Sequence, residues 1–245
     1  HPVDDPGRPR YLDNDALDNP SIALACAARE TLHMGDEVRI MLQKTKQVFA
    51  TNDKTLMREV EIRDDVVDRL HESIKLYLTR LTRHELDDEE SRRSIEILGF
   101  TTNLEHVGDV VDKNLMELAN KKIKNHSSFS EEGNAELEIF HDRVLANFDL
   151  ALNIFMTPDR ILARQLLREK SEMRDLERTL TESHYARISE GRVESIESSS
   201  LHLDILRDLK RINSHLTSVA YPILERSGEL MESRLVDPGT ANDRS

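Results

Sequence analysis

The sequence predicts an all-α chain of two similar three-helix bundles, six long antiparallel helices in all. Helix-forming segments follow one another almost without interruption, and no alternating strand-like segment of useful length intervenes. Eight glycines and seven prolines in 245 residues gather mostly at the ends or at breaks. The second half also repeats landmarks of the first. Phe49, Thr51, Asp53, Leu56 and Arg58 recur 106 positions on as Phe155, Thr157, Asp159, Leu162 and Arg164. Leu104, Glu105, Asp109 and Asn114 recur 99 positions on as Leu203, Asp204, Asp208 and Asn213.

Helices are expected near 20–50, 52–82, 88–122, 131–155, 158–190 and 193–228. The polar, proline-bearing start from His1 to Pro9 reads as cut from a longer protein, so residues 1–19 are expected to be a linker from an upstream segment. The first bundle then spans 20–124. Its third helix ends through Lys121, Lys122 and Lys124, whose charges suit the negative helix terminus. Asn125 to Phe129 open a linker over 125–130, and Ser130 with Glu131 and Glu132 restarts a helix. The second bundle covers 131–228, and 229–245 is expected to be a flexible tail. Within it, Thr157-Pro158-Asp159 predicts a sharp helix start: Thr157 as N-cap, Pro158 in the first turn and Asp159 toward the positive helix end.

Composition narrows the function. Forty-seven acidic residues against 34 basic ones leave a net charge of −13, which disfavours a nucleic-acid partner. Aromatic residues are only 4% and tryptophan is absent, so base-stacking platforms are not expected. The single Cys26, in a small apolar run, excludes an intrachain disulfide and fits a packed thiol in a reducing compartment. No stretch approaches the roughly 18 apolar residues of a membrane span, and the polar start is not expected to act as a signal peptide.

The chemistry-bearing pattern is paired carboxylates four residues apart. Glu105 and Asp109 stack on one strip of the third helix, joined by Asp112, while Ile97, Phe100, Leu104, Val111, Leu115 and Leu118 form its apolar face. Asn103, Lys113, Glu117 and Asn120 fall on its solvent face. Asp64 and Asp68 repeat the spacing on the second helix, beside Leu70, Ile74 and Leu81, with Asp65 and His71 nearby. Asp204 and Asp208 repeat it in the second bundle. Carboxylates so placed repel unless a proton, a hydrogen bond or a cation intervenes. Facing pairs would supply the oxygens that a hard or borderline cation prefers, although in so acidic a chain spacing alone also fits a solvated acidic face.

Glu105-His-Val-Gly-Asp109, with Asn103-Leu104 before it and Val110-Val111-Asp112-Lys113 after it, resembles the Glu/Asp-x-x-x-Asp signature of the third helix of a PhoU repeat. Asp64-Asp-Val-Val-Asp68 resembles the partner motif of the second helix, and the duplication is PhoU-like over about 20–228. More narrowly, Arg10 to Asp13, Asn19-Pro20, Ala23-Leu24, Arg29-Glu30, Met34-Gly35 and Arg207 to His215 resemble the C-terminal cytoplasmic domain of bacterial sodium–phosphate cotransporters. That resemblance implies a non-enzymatic regulatory domain that modulates phosphate transport at the cytoplasmic face of the inner membrane. It implies a metal cofactor held by Asp64, Asp68, Glu105, Asp109 and Asp112, and in the second bundle by Asp204 and Asp208. The metal is left open among iron, zinc, calcium, magnesium and manganese. The implied partner is the transmembrane transporter portion of the same polypeptide, with a homodimer also open.

The second bundle departs from the pattern. The 106-residue shift puts Lys170 and Arg174 where acids should stand, so these cations are expected to pair with Asp204 and Asp208 in place of a metal. The alternative reading is a freestanding PhoU-like adaptor that regulates phosphate uptake or signalling. A di-iron carboxylate enzyme is the weaker one, since Glu30-x-x-His33 and Glu138-x-x-His141 have the required form but lie in different halves.

Overall fold

The structure is a computed structural model that describes residues 4–228 and the backbone of 230–231 and 234–235. The expected flexible tail over 229–245 lies outside the described residues, apart from a short antiparallel pairing of Leu230–Met231 with Arg234–Leu235. The rest is helical: α1 (Pro20–Thr51), α2 (Lys54–Leu81), α3 (Asp88–Asp109), a π-helical segment (Val110–Leu115), α4 (Met116–Lys124), α5 (Glu131–Met156), α6 (Arg160–Ser189), α7 (Val193–Thr217) and α8 (Ala220–Arg226). Helices α1, α2 and α3 pack together as one bundle, and α5, α6 and α7 as another. The bundles meet where α1 lies against α5 and α3 against α7, and one continuous apolar core runs through both.

The repeats fold by the same local rules. Asp53 caps α2 by accepting the N–H groups of Thr55 and Leu56, and Asp159 caps α6 by accepting those of Ile161 and Leu162. This corrects the expected N-cap at Thr157. A carboxylate that satisfies two helix-terminal N–H groups outweighs one hydroxyl, so Pro158 stays outside the helix and Thr157 closes α5. Ser130 caps α5 as expected, through Gly133 N–H.

The sixth helix is shorter than the expected 193–228, because α7 stops at Thr217 and α8 restarts at Ala220. Pro222 explains the break. It has no N–H to give the Ser218 carbonyl, and its ring clashes with that carbonyl in a continuous helix. Ser218 O instead accepts Tyr221 N–H, one residue short of helical spacing. The lysine-rich end of α4 also differs from a solvated helix terminus: Lys122 is buried, and its ammonium donates to Phe49 O and Asn52 Oδ1 at the α1–α2 turn.

From Asp4 onward, the expected linker is fastened to the first bundle. The Arg10 and Tyr11 N–H groups donate to Glu30 Oε1 at 2.6 and 2.9 Å, and Glu30 is fully buried. Tyr77 Oη donates to Asp13 O, and Arg69 makes a bidentate pair with Asp5 at 2.9 and 2.6 Å.

Candidate metal centre

The six residues expected on the apolar face of the third helix are all buried against the core, which turns the acidic strip toward α2. Near this strip the helix changes character, because Val110–Leu115 widens into a π segment directly after Asp109. Such a widening adds a residue to one turn and re-aims the side chains beside it. Gly108 is buried in the same turn, and a Cβ built there would meet Asp64 Oδ1 at 2.9 Å. The absent side chain is what lets α2 bring its carboxylate this close.

Carboxylate oxygens of Asp64, Asp68 and Asp109 consequently lie within 4.8 Å of one another. Asp64 is 3% exposed, and Asp64 Oδ1 and Asp68 Oδ1 are buried without a hydrogen-bond partner. The other two predicted ligands flank this trio. The Asp112 carboxyl bonds to that of Asp64, and the Glu105 carboxyl to that of Asp109. Five of the seven predicted residues are therefore gathered at the α2–α3 face.

Their protonation reflects this crowding. Burial, then the neighbouring Asp68 and Asp112, pushes Asp64 up to about 8. Burial and the hydrogen bond with Asp109 raise Glu105 to about 7. Asp68 is also raised, first by burial and then by Asp109. A carboxylate stripped of water with no counter-charge takes up a proton instead. The arrangement can thus do one of two things: hold protons, or release them to a cation that binds all three oxygens. Orphaned, inward-facing oxygens at mutual reach fit the second use, and an all-oxygen donor set suits a hard cation.

Asp204 and Asp208 are placed differently. Arg207 lies 3.1 Å from Asp204 Oδ1 and 3.6 Å from Asp208 Oδ1, and Arg211 lies 3.4 Å from Asp208 Oδ1. This corrects the expected pairing with Lys170 and Arg174. Lys170 donates to Tyr221 Oη at 3.0 Å instead, and the cations that answer the two acids come from their own helix. Ninety-nine positions back, Arg207 and Arg211 correspond to Gly108 and Asp112. The two positions that open the first site to α2 and add an acid to it thus carry arginines in the second.

Sequence reasoning missed two contributors. Gly108 was visible only as a glycine inside a helical motif. Lys113, expected on the solvent face, sends its ammonium to Asp109 Oδ1 at 3.1 Å, an i,i+4 pair the spacing allowed. Asn103 also leaves its expected solvent position, pairing with His215 Nδ1 at 3.0 Å across the bundle interface. The two Glu-x-x-His motifs do not meet. Glu30 binds His33 and the N-terminal segment, whereas His141 Nε2 faces Leu42 O.

A duplicated three-helix-bundle protein with a cluster of carboxylates between the second and third helices of its first bundle is the class these features define. The chain belongs to the PhoU domain family: the family model described as PhoU domain matches it twice, over residues 31–116 and 137–223. It is 42% identical over 219 residues to the Salmonella typhimurium LT2 protein named "Putative inorganic phosphate export protein YjbB", a match covering 89% of this chain and 40% of that one. The Escherichia coli K12 protein of the same name is 40% identical over 222 residues, with 91% and 41% coverage. The chain thus spans about two fifths of the length of these relatives. Among solved structures, PhoU from Pseudomonas aeruginosa superposes with a TM-score of 0.75 at 20% identity, covering 84% of this chain and 98% of that one. The phosphate transport system regulatory protein PhoU from Streptococcus pneumoniae gives 0.75 at 18%, with 89% and 100% coverage. These two likenesses establish the fold. No helix among the described residues is long and apolar enough to cross a membrane.

Proposed function

We propose that this PhoU domain is a non-enzymatic regulator of phosphate movement across a membrane, acting as an adaptor that docks on a phosphate transporter at its cytoplasmic face. In this reading its first repeat holds a metal ion between α2 and α3. The single observation that carries it is the convergence of Asp64, Asp68 and Asp109 at the α2–α3 face of a PhoU repeat, with two buried oxygens left without partners. Asp64, Asp68 and Asp109 would bind the ion, and Glu105 and Asp112 would complete or orient them. The ion would supply charge neutralisation, locking α2 to α3 where the bare carboxylates repel. The phosphate process is inferred from the relatives' name, which points to export as the direction of the phosphate transport that the resemblance implies.

Metal analysis of protein purified without chelator tests the site. The parent should carry bound metal, and Asp109→Ala should lose most of it. Equal, negligible metal in both would leave a merely acidic face.

A second reading is favoured by one observation, that the YjbB relatives extend well beyond the matched segment. Here the domain is the regulatory portion of the transporter polypeptide itself, in the manner of a sodium–phosphate cotransporter tail. Fractionation of the native gene product separates the two. A chain that stays in the membrane after a carbonate wash supports the fused form, and one released by it supports the adaptor.

A further inference from the structure

We propose that Lys113 is a tethered counter-ion of the first-repeat site, which competes with the incoming metal and so sets its affinity. The inference rests on the metal-binding reading above and deepens it. Its ammonium lies 3.1 Å from Asp109 Oδ1, on one of the three carboxylates that converge. It is also the cation whose charge acts on Asp68, Glu105 and Asp112. The inner oxygens of the other two, Asp64 Oδ1 and Asp68 Oδ1, have no hydrogen-bond partner of this kind and are buried. One exposed positive charge therefore serves a group of five carboxyls, Asp64 included. Its side chain is 66% exposed, so the ammonium can swing into water when an ion takes its place.

The second repeat supplies the comparison within the same molecule. There Arg207 and Arg211, two side chains of the same helix, already pair with Asp204 and Asp208. In the first repeat the corresponding positions are Gly108 and Asp112, and the same-helix cation at Asp109 comes instead from Lys113. The two repeats thus stand at different points on one scale, from a site closed by its own cations to a site held partly open. A competitor at this distance must be displaced before Asp109 can give its full charge to a metal, and that displacement weakens binding.

The test is isothermal titration of Mn2+ into chelator-stripped parent chain, Lys113→Gln, Lys113→Arg and Lys121→Gln. Lys121 pairs with Glu117 at 3.6 Å two turns further on, so its variant removes the same charge away from the site. Lys113→Gln should bind Mn2+ about tenfold more tightly than the parent. Lys113→Arg should stay near the parent value, and Lys121→Gln should change it less than twofold. Parent-like or weaker binding by a folded Lys113→Gln overturns the inference and leaves the metal-binding reading intact. An equal gain in Lys121→Gln also overturns it, because the effect would then be one of net charge. No heat in any of the four chains removes both.

Discussion

Gly108 and Asp64 approach so closely that a Cβ on Gly108 would lie 2.9 Å from Asp64 Oδ1 and 3.5 Å from Val67 Cγ1. A glycine inside a helix normally costs about 1 kcal/mol relative to alanine. Here Gly108→Ala should reverse that sign and destabilise by about 1–3 kcal/mol, because the methyl forces Asp64 and α2 outward. Thermal unfolding checks this, at roughly 2–4 °C per kcal/mol for a chain of this size. A raised melting temperature would mean that the two helices are free to part.

Asp208 is fully buried, and its cationic partners are Arg207 and Arg211. Replacing both arginines by Ala should destabilise by about 2–4 kcal/mol, and adding Asp208→Asn should restore much of the loss. Lys170→Ala with Arg174→Ala should not be rescued by Asp208→Asn. Chemical denaturation of the four chains measures these differences.

Metal affinity should rise with pH. Asp64, raised to about 8 by burial and its acidic neighbours, and Glu105, raised to about 7, carry protons in the free folded protein below those values. Binding must expel them, so the association constant should climb between pH 6 and 8 and then level off. Titrations in two buffers of different ionisation heat should show proton release at pH 6.5. A pH-independent constant would mean that the ion does not bind these groups.

His202 offers a separate pH effect in the second bundle. It is 1% exposed, stacks on His184 at 4.5 Å and is held down to about 4 by burial, then by His184. Its folded value lies below the ordinary histidine value near 6.5, so the unfolded chain takes up the proton first. The stability from keeping it neutral is complete above pH 6.5 and is lost as pH falls toward 4, at up to about 1.4 kcal/mol per unit. Unfolding at pH 7 and pH 5 should show a smaller acid loss in His202→Gln than in the parent; equal losses would contradict this origin.

Much of the fold was legible because its determinants are local. Hydrophobic periodicity, the cap at Ser130 and the repeated landmarks all act within a few residues of themselves. The faces of α2 and α3 were legible too, so Asp64, Asp68, Glu105, Asp109 and Asp112 could be named and are found together. What the sequence hid depends on distance or on competition. The role of Gly108 exists only once α2 lies against it, and the π segment after Asp109 has no periodic signature. Thr157 was the expected cap, but Asp159, the stronger acceptor, took that place. Lys170 lined up with the acids by offset alone, while Tyr221, brought onto α6 by the break at Pro222, captured it.

The central claim is that a cation at Asp64, Asp68 and Asp109 lets this domain govern phosphate movement. The most direct measurement is inorganic phosphate efflux from phosphate-loaded cells that carry the native gene product with either the parent sequence or Asp68→Asn with Asp109→Asn, at matched protein levels. These exchanges keep side-chain size while removing two of the three converging carboxyl groups. The account predicts that efflux and its response to external phosphate change in the double variant, with the fold retained by circular dichroism. Unchanged efflux and unchanged phosphate response, in a variant shown to have lost its metal, would contradict it.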